Sequence, residues 1–263
     1  MKSLTLAFAC IGERLPSLLA NLSSIESPPQ VKVVILVQKP LRDTQKIADS
    51  NSSVHIKILD SIGLSKSRNQ AILISETDFI WFLDDDVQLV NKDINKALAI
   101  INNVDAEFFR VKIGCIEWPE KTFKKYKKTN KIRKLNLLQI SSIEIIADLG
   151  FIKKNKITFN EKIGLGTNFN ACEENNFLID AWNLGARFEY INEVLVSHTC
   201  IFDERILANN AIFEIRGATA SRFGFIGFLL ILRWLLRYSF KERKVSYLTS
   251  LIKGYLKGYL QYS

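Results

Sequence analysis

Three consecutive aspartates, Asp84, Asp85 and Asp86, follow directly on five apolar residues, Phe79 to Leu83. Carboxylates this close repel one another unless a cation sits among them, usually a divalent metal. The apolar run is too short for a typical helix and does not alternate, which suits a strand buried on both faces of a parallel sheet. Ligands of open α/β sheets bind beyond the carboxyl ends of the strands, where this trio stands. The plainer alternative is a solvated loop with an Asp cap on the next helix.

Other residues with chemical capacity are spread along the chain. In GLSKSRNQAILIS (63–75), positions 64, 68, 71, 72 and 75 share one helical face. Arg68 interrupts that otherwise apolar stripe, so it needs an anion such as a phosphate or carboxylate, unless it snorkels to the surface. Glu173 and Glu174 open a helix whose inward face is Phe177, Leu178, Ala181 and Trp182 and which Gly185 ends. Asn170 and Glu173 have capping-box spacing, a structural reason for Glu173. Glu174 needs no such role, and the positive helix end favours its ionised form. The preceding IGLGTN suits a loop that folds over a ligand. His198 closes the apolar stretch VLVSH and is either a satisfied histidine or a ligand, while His55, in an alternating strand, reads as structural.

The elements that must position these groups follow from periodicity. Residues 3–9, 31–37, 54–60 and 78–83 read as strands, with helices over 13–25, 41–50 and 63–75 between them. Such alternation with short links indicates a parallel, doubly wound sheet. A helix over 91–103 and strands over 106–114 and 140–147 follow. The opening MKSLTLAFAC mimics a lipoprotein signal, but its apolar part is shorter than a signal core, so a first strand is expected.

The 263 residues suffice for one large α/β domain or two small ones. The net charge of +9 is local: residues 121–134 hold eight Lys/Arg and no acid, and residues 222–263 hold eight against Glu242 alone. The first stretch has no helical apolar face and is expected to be a mobile surface loop. In the second, basic positions 233, 237, 241 and 244 recur at helical spacing on an apolar helix. Tyr255, Tyr259 and Tyr262 follow with Lys253 and Lys257. Apolar bulk, a cationic stripe and tyrosines suit a helix lying on an anionic bilayer. The alternative is a helical hairpin packed on its own domain. No run of about twenty apolar residues suggests a transmembrane helix. Four cysteines, far apart and without a CxxC pair, argue against zinc and for a reducing, cytoplasmic setting.

Taken in order, GLSKSRNQAI, FIWFLDDD and ACEENNFLIDAWNLGARFEYINEVLVSH resemble motifs of the family 2 glycosyltransferases, over roughly residues 3–220. IRGATASRFG is similar to members that build bacterial surface polysaccharides. The resemblance implies an inverting enzyme of GT-A type, an α/β fold with a Rossmann-like, mostly parallel mixed sheet flanked by helices. Residues 1–220 would form that domain, and 221–263 a C-terminal helical hairpin. It also implies roles. Asp84 would lie near the donor ribose and the metal, and Asp86 would ligate Mg²⁺ or Mn²⁺ with His198 as a further ligand. Asp85 would be the replaceable middle residue beside the donor, and Arg68 would lie near the diphosphate. Glu174, with Glu173 beside it, would be the general base. Two positions depart from the pattern. Gln38 stands where an aspartate contacts the nucleobase, with Asp60 expected to share that duty, and Glu174 replaces an aspartate.

The implied partners are a nucleotide-sugar donor, a glycan or lipid-linked glycan acceptor (lipopolysaccharide O-antigen or capsule) and the inner face of an anionic membrane. Nucleic acid is not among them. A sugar-phosphate nucleotidyltransferase would need a glycine-rich phosphate loop after the first strand, and ACIGERLP offers one glycine there. A nucleic-acid binder built on residues 121–134, with Phe123 and Tyr126, would leave the acidic trio and the Glu pair unexplained.

Overall fold

A computed structural model describes residues 1–26, 28–51, 54–126, 132–201, 210–241 and 245–262. The strands are β1 (Leu4–Ile11), β2 (Val31–Gln38), β3 (His55–Ile58), β4 (Phe79–Asp84), β5 (Phe108–Cys115), β6 (Ile145–Asp148) and β7 (Phe188–His198). The helices are α1 (Leu15–Leu22), α2 (Thr44–Ser50), α3 (Leu64–Ile74), α4 (Asn91–Asn103), α5 (Leu149–Lys154), α6 (Glu173–Asn183), α7 (Asn210–Ser221), α8 (Phe225–Lys241) and α9 (Val245–Tyr262). They surround one seven-stranded sheet of order β3-β2-β1-β4-β6-β5-β7. The strands β3, β2, β1 and β4 are parallel, β5 pairs parallel with β7, and β6 runs antiparallel between β4 and β5.

Alternation of side chains along each strand builds two apolar layers. Leu4, Leu6 and Phe8 of β1 pack with Trp81 of β4 against Leu15 and Leu18 of α1 and Ile94 and Ile101 of α4. On the other face, Ala7, Ile80 and Phe82 meet Ala71 and Ile72 of α3, Ile152 of α5 and Phe177 of α6. Phe79 to Leu83 are all buried, as a strand covered on both faces requires.

Several local expectations are corrected. The 13–25 helix begins with a 3-10 turn, Gly12–Arg14, and α1 ends at Leu22. Residues 140–147 are not one strand: a 3-10 turn, Ser142–Glu144, precedes the short β6. The cause is Glu144, fully buried and paired with Arg110 and Lys124, which alternation alone does not disclose. The same pair corrects the expectation of a mobile basic loop at its near end. Lys124 also donates to the Gln139 carbonyl at 2.6 Å, and the Tyr126 hydroxyl accepts from the Ile113 N–H at 2.9 Å. Residues 127–131 lie outside the described residues.

The cysteine argument is also corrected. Cys115 and Cys200, 85 residues apart, form a disulfide. Pairing of β5 with β7 sets Cys115 opposite His198, so strand register achieves what sequence spacing does not suggest. Glu117 reinforces this corner by accepting from the Thr199 hydroxyl and the Cys200 N–H.

The C-terminal helices form a unit around Phe213, Ala220, Ile231 and Leu251. Gly254 lets α9 approach α7 closely, because a β-carbon there would overlap the Glu214 carbonyl. The expected boundary after residue 220 therefore cuts the end of α7, which belongs with α8 and α9. The unit is also bonded to α6. Asn176 Nδ2 donates to Thr219 Oγ1 at 3.0 Å, and Arg222 donates to the Asn176 carbonyl at 3.0 Å and pairs with Asp180. Lys253 and Lys257 both pair with Glu214, at 3.2 and 2.9 Å, so these two lysines brace α9 against α7. The side chains of Arg237, Lys241, Tyr259 and Tyr262, and the whole of Lys244, lie outside the described residues. Among the described residues no helix is long and apolar enough to cross a membrane.

Candidate active site

At the carboxyl ends of β1, β2, β4 and β7 opens a cleft of about 330 Å³, lined among others by Ile11, Arg14, Asp86, Leu165 and His198. It sits where β1 separates β2 from β4, a point at which chain connections diverge to either side. A larger cavity, about 900 Å³, lies at the opposite edge near Ser3, Gln30, His55 and Thr77, away from the acidic trio.

The trio divides its work. Asp84 Oδ1 faces Arg68 Nη2 at 3.3 Å, and burial pushes the Asp84 carboxyl upward against the pull of that guanidinium. Asp85 accepts from the Ile11 N–H at 3.1 Å and from Arg14 Nη1 at 2.8 Å. It is therefore a strut that pins the end of β1 and the Gly12–Arg14 turn, not a replaceable spacer. Arg14 had no distinguishing signal in the sequence. Asp86 is exposed to the cleft, and its Oδ1 lies 3.3 Å from His198 Nε2. Hydrogen bonding to Asp86 raises the His198 pKa to about 8, and the same contact lowers that of Asp86. His198 Nδ1 meets the Thr199 carbonyl at 2.8 Å, and the Phe123 ring packs edge-on, so the imidazole is held from two sides.

Among the described residues no three His, Cys, Asp or Glu side chains converge as a ready ligand cluster. Of the three expected metal ligands, Asp86 and His198 face each other, while Asp84 is paired with Arg68. That set still fits Mg²⁺ or Mn²⁺, hard cations commonly held by one or two protein groups with phosphate oxygens and water completing the shell.

Arg68 is buried and organises the interior of the site. Besides Asp84 it donates through Nη1 to Glu173 Oε1 at 3.0 Å and through Nη2 to Ser142 Oγ at 2.7 Å. The anion its inward position demands is supplied by the protein itself. Glu173 is correspondingly not the N3 partner of a capping box. The N-cap of α6 is Cys172, left-handed at φ 69°, which makes Glu173 the first helical residue and aims it at Arg68. Glu174 is next. Burial first, and the Glu173 charge second, hold its carboxyl well above the usual range. A carboxyl shifted in this way is a candidate for proton transfer.

The glycine-rich segment 163–168 docks on the start of α3. The Leu64 N–H donates to the Leu165 carbonyl at 2.9 Å, and Ser65 Oγ donates to the Ile163 carbonyl at 2.7 Å. Gly164 has φ +104°, and a β-carbon there would press on Ser65 Oγ and the Glu173 carboxyl. Gln38 bonds both polar groups of Gly63, donating at 2.9 Å and accepting at 3.2 Å, so its amide shapes the cleft wall. Asp60 is exposed and does not line the cleft.

Comparison with solved structures places the fold. Staphylococcus aureus TarS 1–349 in complex with UDP-GlcNAc is similar with a TM-score of 0.70 and 16% identity, over 97% of this chain and 81% of that one. TarS 1–349 in complex with UDP gives 0.64 and 17%, over 84% and 65%. A longer TarS structure gives 0.64 and 18%, over 83% of this chain, which spans only 39% of its length. At such identities the likeness is one of fold, a GT-A-type mixed sheet. No curated protein matches significantly. A family model described as Glycosyl transferase family 2 matches residues 7–169, more than half of the chain, from within β1 through β6, and on that match this protein belongs to the family 2 glycosyltransferases.

Proposed function

We propose that the protein transfers a sugar from a nucleoside diphosphate-sugar to a hydroxyl of a lipid-linked surface glycan, inverting the anomeric centre. The observation carrying this reading is the single network in which Arg68 joins Asp84 of the cleft to Glu173 beside Glu174. The TarS structures hold UDP and UDP-GlcNAc, which supports a uridine nucleotide as donor. In a single displacement the acceptor oxygen bonds the anomeric carbon as its proton passes to the Glu174 carboxylate. The bond from that carbon to the diphosphate oxygen breaks, and its electron pair leaves with the nucleoside diphosphate. Asp86 and His198 would hold Mg²⁺ or Mn²⁺, which supplies positive charge opposite the leaving diphosphate. Arg68 contributes by fixing Glu173, and through it the register of α6, rather than by touching the donor.

The protein would act as a peripheral enzyme on an anionic membrane surface. Phe225, Leu229, Leu232 and Leu236 are exposed along one side of α8, with Arg233 exposed nearby, a face that suits an anionic bilayer. The test is nucleotide release from a panel of UDP-, GDP- and dTDP-sugars, with and without EDTA, alongside sedimentation with phosphatidylglycerol vesicles. Release should fall by about 10²-fold or more with EDTA or in Asp86→Ala. Salt-sensitive sedimentation should weaken in Leu229→Glu/Leu232→Glu. Chelation-resistant release would remove the metal role, and unchanged sedimentation would remove the membrane one. The nucleotidyltransferase alternative is set aside by the family match. Nucleic-acid binding is disfavoured because Lys124 and Tyr126 of the basic stretch are bonded to Glu144 and Ile113.

A further inference from the structure

Lys124 belongs to the basic stretch 121–134 but points inward, with 26% of its side chain exposed. Its ammonium donates to the Glu144 carboxylate, to the Gln139 carbonyl at 2.6 Å and to Ser141 Oγ at 3.1 Å. An ammonium carries three protons, and these three acceptors use them all. Glu144, fully buried, holds the same segment from the inside. It accepts from the Ser141 N–H at 2.7 Å and from Arg110 Nε at 3.0 Å. Residues 139–144 are thus clamped by one cation from the basic stretch and one from β5.

The clamped region holds both neighbours of Glu174. Asn175 Nδ2 donates to the Leu137 and Ile140 carbonyls at 2.8 and 3.2 Å. Glu173 is bonded to Arg68, whose Nη2 donates to Ser142 Oγ at 2.7 Å. Gln139 and Ser141 also line, with Glu174 itself, a cleft of about 260 Å³. We infer that Lys124 is a positioning residue for Glu174: it holds residues 137–144 so that Asn175 and Glu173 fix the start of α6, and it lends the carboxylate a positive charge. This role rests on the reading of Glu174 as base, and it gives the basic stretch a task beyond surface charge. Glu174 is among the carboxylates that favour the charged form of Lys124, so the attraction acts across this wall. The other charged or titratable groups about Glu174 are Glu173, Arg68 of α3, Arg216 of α7 and the Cys172 thiol.

The experiment compares Lys124→Met, Lys124→Arg and Lys153→Met with the parent protein, all at full length. Lys153 is the control: it donates to the Ser75 carbonyl at 2.6 Å, at the far end of α3 from Arg68. One readout is UDP release from UDP-GlcNAc across pH. The other is the Glu174 titration, followed by ¹³C NMR with glutamate labelled at Cδ and assigned by the signal missing in Glu174→Gln. Lys124→Met should lower kcat about ten-fold at neutral pH and leave donor KM within about two-fold. It should also move the acid limb and the NMR midpoint upward, because the ionised carboxyl loses a nearby cation. Lys124→Arg should restore the midpoint and most of kcat, since it keeps the charge on a bulkier head. Lys153→Met should move neither, whatever it costs in stability. Lys124→Gln, which keeps hydrogen-bond donors without charge, carries the same expectation should Lys124→Met fail to fold. A midpoint unmoved by loss of the Lys124 charge, or moved equally in Lys153→Met, would overturn the inference. If UDP-GlcNAc is not turned over, or the acid limb survives Glu174→Gln, the donor or base reading fails, and the NMR midpoint still decides whether Lys124 acts on Glu174.

Discussion

Glu174→Gln is expected to lower sugar transfer by about 10²–10⁴-fold, the usual contribution of a positioned general base. Donor affinity should stay within about two-fold, because Glu174 does not line the cleft that holds Asp84 and Asp86. The amide keeps size and much of the hydrogen bonding while removing the site that accepts the proton. The pH profile provides the sharper test. Burial and the neighbouring Glu173 charge raise the Glu174 carboxyl above its ordinary range, opposed only in part by Arg68. A base works in its ionised form, so transfer should climb with pH through a region above ordinary carboxylate titration, by about ten-fold per unit on the acid side. In Glu174→Gln that limb should disappear. A variant that retains the limb, or most of its turnover, would place the base elsewhere.

The second large effect is on stability. Arg68→Met preserves bulk in the core but leaves Glu173 and Asp84 without their shared cation. Removing one partner from a buried ion pair costs about 3–5 kcal/mol. The loss should be read from urea unfolding at neutral pH and again at acid pH. Arg68 opposes the upward push of burial on Asp84, so its removal raises the folded-state pKa of that group further. A carboxyl whose folded pKa exceeds its unfolded value destabilises the protein as pH rises through the folded pKa. The deficit of Arg68→Met should therefore be largest at neutral pH and shrink as the solution is acidified. Arg68→Lys, with charge but no planar fork, should fall between the two. A deficit below about 1 kcal/mol, or one independent of pH, would mean that both carboxylates find solvent or other partners.

Much of the site was legible in the order of its motifs. DFIWFLDDD announces a buried strand that ends in carboxylates, and the structure has that strand at the cleft. Arg68 announces a need for an anion by its place on an apolar face. It could not announce which anion, because Glu173 is 105 residues away and meets it only when α3 and α6 pack on the same face of the sheet. Capping-box spacing at Asn170 and Glu173 was a false lead of the same origin: the left-handed turn at Cys172 shifts the helix start, and spacing carries no dihedral angle. Arg14 and Lys124 were hidden for a different reason. One sits in a short polar turn and the other in a run of lysines, and neither neighbourhood marks out the residue that becomes bonded.

The alternation of strand and helix, the strand ending in Asp84, and the set of polar residues available for chemistry are written in the sequence, since they depend on local periodicity and residue type. The division of labour among those residues is not. Asp85 became a strut, Gln38 a clamp on Gly63, Cys115 a partner of Cys200, and Glu174 the lining of a second cleft. Each outcome depends on distances between segments far apart in the chain. Those distances are set by which strands pair and which faces of the helices meet, so only the folded molecule decides them.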